Sequence, residues 1–538
     1  MLNYKGEMNL KKKLLLMVVV ILVLSTFIAA CSTSEKQQAE NEETDEKETL
    51  NISLALMGGP KTPNSWTEKS LEEDLTQHLD KRVEIENVFL PSWADLNTKV
   101  NLLMSDYDQM PDIMWFPSMD REFQTWVDGG IVVDLAPLLQ KHGKNIINYY
   151  SKETLFYSWN TEGKIYRIPG DVAEAGSMTT ILRKDWLENL NLETPTTLDE
   201  YIEVLRAFTQ NDPDGNGKDD TYGLSGDNNY RSFTPFFYAY GVDPESFLIQ
   251  EDGTVKFGAT MPEVREVLEI LQGLYKEGII DPRMISSIEE SKVDEILSTG
   301  KVGSMYRWIQ YFNPDNPVQM SFKAFNPDGE YMQIDPVKGP DGFASDRPSE
   351  VNGWAYLSVT AAAEEPEEAV KVLDRMASPE TYKLITFGKE GEHYEIVDGQ
   401  YNSLIETDEM NELGLGNYNW YVSRKDEANI QNTKEVIEIY EQRAETSMPM
   451  REKIAYFKSN NRPMWNEYGT DITTLRDETF WGIISGSLPI TAFDEFIEKF
   501  DTLGGKEIEE EANTLYSKQA DEYNKFEDWY EENIEPFK

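Results

Sequence analysis

From Leu50 onward the sequence alternates strand and helix patterns, and this order limits the fold more than any other feature. Asn51-Ile-Ser-Leu-Ala-Leu-Met57 alternates as a buried strand does and is broken by Gly58-Gly59-Pro60. An amphipathic helix follows over 70–79, then a strand over Val83-Glu-Ile-Glu-Asn-Val-Phe89. A second helix spans 93–104, and Met110-Pro-Asp-Ile-Met-Trp-Phe116 reads as a third strand. Strands separated by helices pair in parallel, because each crossover returns the chain to the same end of the sheet. The predicted class is therefore α/β. With 538 residues, the chain has room for more than one domain of about 150 residues.

Later helices carry their own start signals. Thr197-Leu-Asp-Glu200 and Thr260-Met-Pro-Glu263 read as capping boxes, with Gly278 ending the second helix, and Ser378-Pro-Glu380 opens another. Residues 506–532 read as mostly helical, so the last third is helix-rich.

Charge excludes whole function classes. Asp and Glu number 98 against 50 Lys and Arg, a formal net charge of −48. A nucleic-acid partner needs a clustered basic footprint, which this chain lacks. Three scattered histidines, His78, His142 and His393, make no zinc centre, and a single cysteine allows no intrachain disulfide.

That cysteine gives an address. Lys11, Lys12 and Lys13 precede the apolar run Leu14–Leu24, and Ile28-Ala29-Ala30-Cys31 matches a bacterial lipobox. Residues 1–30 are expected to be a lipoprotein signal peptide, with cleavage before Cys31 and lipid attached to it. The apolar run is short for a membrane-spanning helix of about 20 residues. Residues 31–49 are polar and acidic and read as a flexible tether. The expected location is the extracytoplasmic face of the cell membrane, held by lipid at Cys31.

The most chemically specific segment is Asp212-Pro-Asp214-Gly-Asn216-Gly217-Lys218-Asp219-Asp220-Thr221. Oxygen side chains stand at its first, third and fifth positions and glycine at its sixth, as in the first half of an EF-hand calcium loop. Gly223 occupies the twelfth position, where an EF-hand has a bidentate glutamate, so Asp220 is expected to supply the missing carboxylate. A plain Asp/Gly/Asn turn is the alternative, but carboxylates this dense repel one another without a cation. A structural calcium is expected.

No Gly-x-Ser-x-Gly elbow, P-loop lysine or His-Glu-x-x-His occurs. Carboxylate pairs such as Glu364-Glu365 arise by chance among so many acids and do not mark a glycosidase. The expected protein binds and does not catalyse.

An ordered set of motifs resembles the solute-binding lipoproteins of bacterial ABC importers, most closely the branch that includes alginate-oligosaccharide binding proteins. The set includes Gly163-Lys-Ile-Tyr-Arg-Ile-Pro169, Ile181-Leu-Arg-Lys-Asp-Trp-Leu187, Pro195-Thr-Thr-Leu-Asp-Glu200, the Asp212 loop, Lys276-Glu-Gly-Ile-Ile-Asp-Pro282, Gly300-Lys-Val-Gly303 and Phe387-Gly-Lys-Glu-Gly391. The resemblance implies a two-lobed, type II periplasmic-binding-protein-like fold that closes on its ligand about a hinge. One lobe would hold 50–168 and about 354–391, and the other about 169–353 and 392–538. It further implies calcium ligands at Asp212, Asp214, Asn216, the Lys218 carbonyl, Asp220 and Thr221, where Thr221 replaces the usual glutamate. The implied function is capture of an oligosaccharide, with or without uronates, by a monomer that delivers it to two permease subunits and an ATPase. A peptide-binding importer lipoprotein is the alternative, with a secreted glycoside hydrolase behind it.

Sugars lay apolar C–H faces on aromatic rings, and ligands of open α/β sheets sit beyond the carboxyl ends of strands. Twelve tryptophans are present, most of them, Trp186 and Trp529 among them, expected to pack in the interior. Trp66, Trp115, Trp308 and Trp354 follow predicted strands or glycine breaks and are the expected ligand contacts, with Tyr306, Arg307 and Trp420 as second choices. Arg167, Arg183 and Arg307 are candidates to pair with a uronate carboxylate, with bracing of the hinge as the alternative for Arg183, which belongs to one of the motifs.

Overall fold

The computed structural model describes residues 47–57, 62–91, 93–171, 176–286, 290–349, 353–421, 424–458 and 462–538. Cys31 and most of the predicted tether lie outside these residues, as does the Gly58-Gly59-Pro60 break. The opening elements form in the predicted order: β1 (Thr49–Leu56), α1 (Trp66–His78), β2 (Arg82–Phe89), α2 (Trp93–Ser105) and β3 (Ile113–Pro117). The strands β4 (Ile168–Asp171), β5 (Met178–Arg183), β6 (Tyr222–Leu224), β7 (Val302–Trp308), β8 (Tyr331–Gln333) and β9 (Ala355–Val359) follow. Helix α1 starts earlier than its apolar pattern suggests, because the Ser65 hydroxyl accepts the Glu68 N–H at 3.2 Å and caps it.

Two large sheets result, with strand orders β2-β1-β3-β9-β4 and β8-β5-β7-β6, beside two small antiparallel pairs, Phe247–Ile249 with Val255–Phe257 and Tyr394–Val397 with Gln400–Ser403. β1 runs parallel to β2 and β3, as the alternation requires. β9 lies antiparallel to both β3 and β4. Its chain re-enters from the second sheet, so no helical crossover sets its direction.

Each large sheet organises its own hydrophobic core, giving two lobes. The first core joins Leu54, Ile113, Trp115 and Leu357 to helices including α3 (Lys144–Tyr149) and α4 (Lys152–Ser158). The second joins Leu182, Trp186, Leu205 and Phe208 of α5 (Leu198–Gln210) to later helices. The lobe boundaries depart from the expected ones at two places. Tyr418 and Tyr421 pack in the first core, and the Tyr421 hydroxyl donates to the Ala55 carbonyl at 2.7 Å, so the return segment continues past Gly391. This return carries α6 (Pro366–Met376) and α7 (Pro379–Phe387). The second lobe then adds α8 (Lys434–Thr446) and α9 (Pro463–Ile484). The final helix α10 (Lys506–Asn533) puts Ile508 and Ala512 in the second core and Phe526 and Tyr530 in the first, so it ties both lobes together.

The capping box at Thr197 and Glu200 closes as predicted. The one at Thr260 does not: the helix over Pro262–Lys276 starts from Met261, and the Thr260 hydroxyl turns back to the Phe257 carbonyl at 2.8 Å. Gly278, at φ +78°, ends that helix in the left-handed conformation glycine tolerates. Among the described residues, no helix is long and apolar enough to cross a membrane.

Candidate ligand-binding site

Between the lobes lies a cavity of about 1030 Å³. The first lobe lines it with Asn148, Tyr149 and Tyr150 around the end of α3, Tyr382 of α7, and Asn419, Trp420 and Arg424 beyond. The second lobe lines it with Ser177, Gln310 just after β7, and Tyr440 and Glu441 of α8. Rings and amides dominate. A ring offers a flat apolar face, while an amide both donates and accepts hydrogen bonds.

The first-lobe wall is held from behind. Asp374 of α6 accepts the Ile146 N–H and the Asn145 side-chain amide, each at 3.0 Å, and so fixes the start of α3. Burial pushes the Asp374 carboxyl up, and these hydrogen bonds only partly offset that. The Tyr150 hydroxyl donates to the Pro169 carbonyl, tying the other end of α3 to β4. The Asn419 side-chain oxygen accepts the Thr386 hydroxyl at 2.8 Å. The Arg424 guanidinium lies 4.7 Å from the Tyr149 ring and donates to Asp426 at 2.7 Å and to the Ala377 carbonyl at 3.0 Å.

The predicted aromatic contacts divide. Trp420 lines the cavity. Trp354, just before β9, meets Trp420 edge-on at 5.2 Å, and the fully buried Trp115 stands behind Trp354 at 5.9 Å. These two brace the wall. Trp308 ends β7 half-buried, two residues before the cavity-lining Gln310. Trp66 opens α1 and packs edge-on against His393 at 4.5 Å, away from the cavity lining. Tyr306 is buried, and its hydroxyl accepts the Arg347 N–H at 3.3 Å. Trp186 lies in the second core and Trp529 packs against the first, as expected.

The predicted arginines are engaged inside the protein. Arg167 pairs with Asp120 at 3.0 Å and lies 3.7 Å from the Tyr356 ring. Arg183 grips Asp185 through two hydrogen bonds of 2.8 and 2.6 Å. Arg307 pairs with Asp294 and reaches the Tyr311 hydroxyl at 3.2 Å. All three are buried, and none of them lines the cavity.

The Asp212 loop gathers charge around an ammonium group. Asp212 sits at φ +45° and accepts the N–H groups of Asn216 at 3.0 Å and Gly217 at 2.9 Å. Lys301 Nζ, at the foot of β7, stands 2.7 Å from Asp214 and 3.2 Å from Asp220. The Asn216 side-chain amide bonds the same two carboxylates at 2.8 and 3.1 Å. The Lys218 N–H donates to Asn216 Oδ1 at 2.8 Å. Thr221 is buried, and its hydroxyl donates to the Phe208 carbonyl at 2.8 Å, away from the carboxylates. The hydrogen bond from Asn216, then Lys301, holds the Asp220 carboxyl below its usual range. Asp214 and Asp220 thus converge on one cation, which is what a cation site requires, and Lys301 fills that place.

Sequence reasoning overlooked Tyr149, Tyr150, Tyr382, Tyr440 and Lys301. The amide-rich run Asn417-Tyr-Asn-Trp-Tyr421, continued by Asn429, Gln431 and Asn432, is the signal that could have marked this wall.

Among characterised proteins, the chain is 25% identical over 494 residues to Lipoprotein LipO of Bacillus subtilis (strain 168), covering 88% of this chain and 94% of that one. It is 28% identical over 370 residues to the polygalacturonan/rhamnogalacturonan-binding protein YtcQ of the same organism, covering 67% and 71%. The Streptococcus pneumoniae substrate-binding protein FusA, solved with kestose, superposes with a TM-score of 0.69 at 18% identity, covering 88% of this chain and 100% of that one. The family profile matches residues 58–383, so the chain belongs to the bacterial extracellular solute-binding proteins.

Proposed function

We propose that this protein captures an oligosaccharide between its lobes and delivers it to an ABC importer in the cell membrane. The lining of the interlobe cavity carries this reading: five aromatic rings, those of Tyr149, Tyr150, Tyr382, Trp420 and Tyr440, stand among asparagine and glutamine amides. Ring faces match the C–H faces of pyranoses, and amides match hydroxyls, which also both donate and accept. YtcQ and FusA, whose names state polygalacturonan/rhamnogalacturonan binding and a fructooligosaccharide substrate, support a carbohydrate. A thermal-shift screen of oligosaccharides and peptides, followed by titration calorimetry, tests the reading. Oligosaccharide hits support it; a response to peptides alone overturns it.

In the same proposal Cys31 carries the lipid that holds the body at the membrane, as the name of LipO suggests for that relative. The protein binds its sugar without cleaving it. A calcium ion takes the place of the Lys301 ammonium in the Asp212 loop, held by Asp212, Asp214, Asn216, Asp220 and the Lys218 carbonyl, with Thr221 turned away to the Phe208 carbonyl. The ion would supply a rigid link between the end of α5 and the start of β6.

A further inference from the structure

We propose that the interlobe cavity selects neutral oligosaccharides and discriminates against uronate oligomers, an inference that rests on the oligosaccharide reading above. Among the described residues, three charged side chains line the cavity: Arg424, Asp426 and Glu441. The Arg424 guanidinium already donates to Asp426 and to the Ala377 carbonyl and lies against the Tyr149 ring. Glu441 is exposed and has no basic partner among the described residues. An incoming carboxylate therefore meets a like charge and an arginine whose two terminal nitrogens are already engaged and whose buried Nε has no partner among the described residues.

The three arginines singled out in the sequence offer no substitute. Arg167, Arg183 and Arg307 hold Asp120, Asp185 and Asp294. Drawing one of them toward a ligand would strand a partly buried carboxylate without its counter-charge. The undescribed segments of the body contain Lys61 against Glu174, Glu289 and Glu350 in sequence, so they add acid on balance. With a net charge of −48, the whole chain repels anions before contact.

Hydrogen-bond chemistry points the same way. Asn148 and Gln310 line the cavity with amides that carry both a donor and an acceptor, and Asn419, whose oxygen accepts the Thr386 hydroxyl, adds its N–H groups. A sugar hydroxyl uses both; a carboxylate only accepts and leaves the amide oxygens facing its own charge.

Matched tetrasaccharide pairs test the proposal: galacturonate, mannuronate and glucuronate oligomers against their carboxyl-reduced, neutral counterparts, titrated calorimetrically into the wild-type protein and Glu441→Gln. The expected result is that every pair with measurable binding favours the neutral member by at least tenfold. Glu441→Gln should then shift the uronate-to-neutral affinity ratio at least fivefold toward the uronate. A uronate bound as tightly as its neutral counterpart, or a ratio unmoved by Glu441→Gln, overturns the neutral selectivity while leaving the oligosaccharide reading standing. Binding of peptides and of no carbohydrate pair overturns both.

Discussion

The indole of Trp420 meets that of Trp354 edge-on, with 5.2 Å between ring centroids, at the point where the first lobe reaches the interlobe cavity. Trp354 meets Trp115 edge-on in turn, at 5.9 Å. Only the outermost ring of this trio lines the cavity, so the three should respond differently to truncation. Trp420→Ala should weaken oligosaccharide binding about tenfold, equivalent to about 1.4 kcal/mol, with a small effect on Tm. Trp115→Ala should cost about 3–5 kcal/mol of stability, as large core truncations do. Calorimetry and thermal melts separate the two effects.

Gly170 makes a second, indirect test of the same wall. A Cβ at this position would lie 2.8 Å from the Trp420 carbonyl oxygen and 3.1 Å from that of Tyr421. Backbone atoms cannot swing aside as a flexible side chain does. Gly170→Ala should displace Trp420 and lower ligand affinity at least fivefold, although residue 170 does not line the cavity. Titration of this variant against wild type measures the effect.

Much of this arrangement was legible in the sequence, and the limits have physical causes. Local signals held: the β1–α1–β2–α2–β3 order and the Thr197 capping box depend on neighbours a few residues apart. The direction of β9 and the return of Tyr421 to Ala55 depend on pairings across hundreds of residues, which periodicity does not encode. Arginine partners were hidden for a related reason. A lone arginine in a motif looks available for a ligand until its partner is known, and Asp120 and Asp294 became partners of Arg167 and Arg307 only on folding. The Asp212 loop announced its carboxylates; Lys301, far along the chain, completed their charge.

The proposed exchange of Lys301 for calcium predicts a specific competition. The ammonium must leave Asp214 and Asp220 before a divalent ion can enter. Lys301→Met should raise calcium affinity at least fivefold and enlarge the rise in Tm on adding calcium, since an ion bound only by the folded state stabilises it. Asp214→Asn should remove both responses. Calorimetric titration with calcium chloride, followed by melts, measures each.

Lys458 predicts a pH dependence. Its ammonium donates to the Trp159 carbonyl at 3.0 Å and lies 3.8 Å from the Phe156 ring. Burial lowers its pKa from 10.5 to about 8, despite Glu522 nearby. Between these values the unfolded chain binds more protons at this site than the folded one, so stability gains a contribution that rises with pH. Below pH 8 the full cost of burying the charge remains. Relative to Lys458→Met, the wild-type protein should gain stability between pH 8 and pH 10, read by denaturant melts at each pH.

The most direct test of the account is a crystal structure of the protein with a neutral oligosaccharide identified by the calorimetric screen. The account predicts a sugar ring lying against Trp420, with hydroxyls on the amides of Asn148, Asn419 or Gln310 and Tyr440 closing from the second lobe. A sugar seated elsewhere, such as in the cavity of about 640 Å³ between Ser118–Glu122 and Arg462, with the Trp420 wall empty, would contradict it.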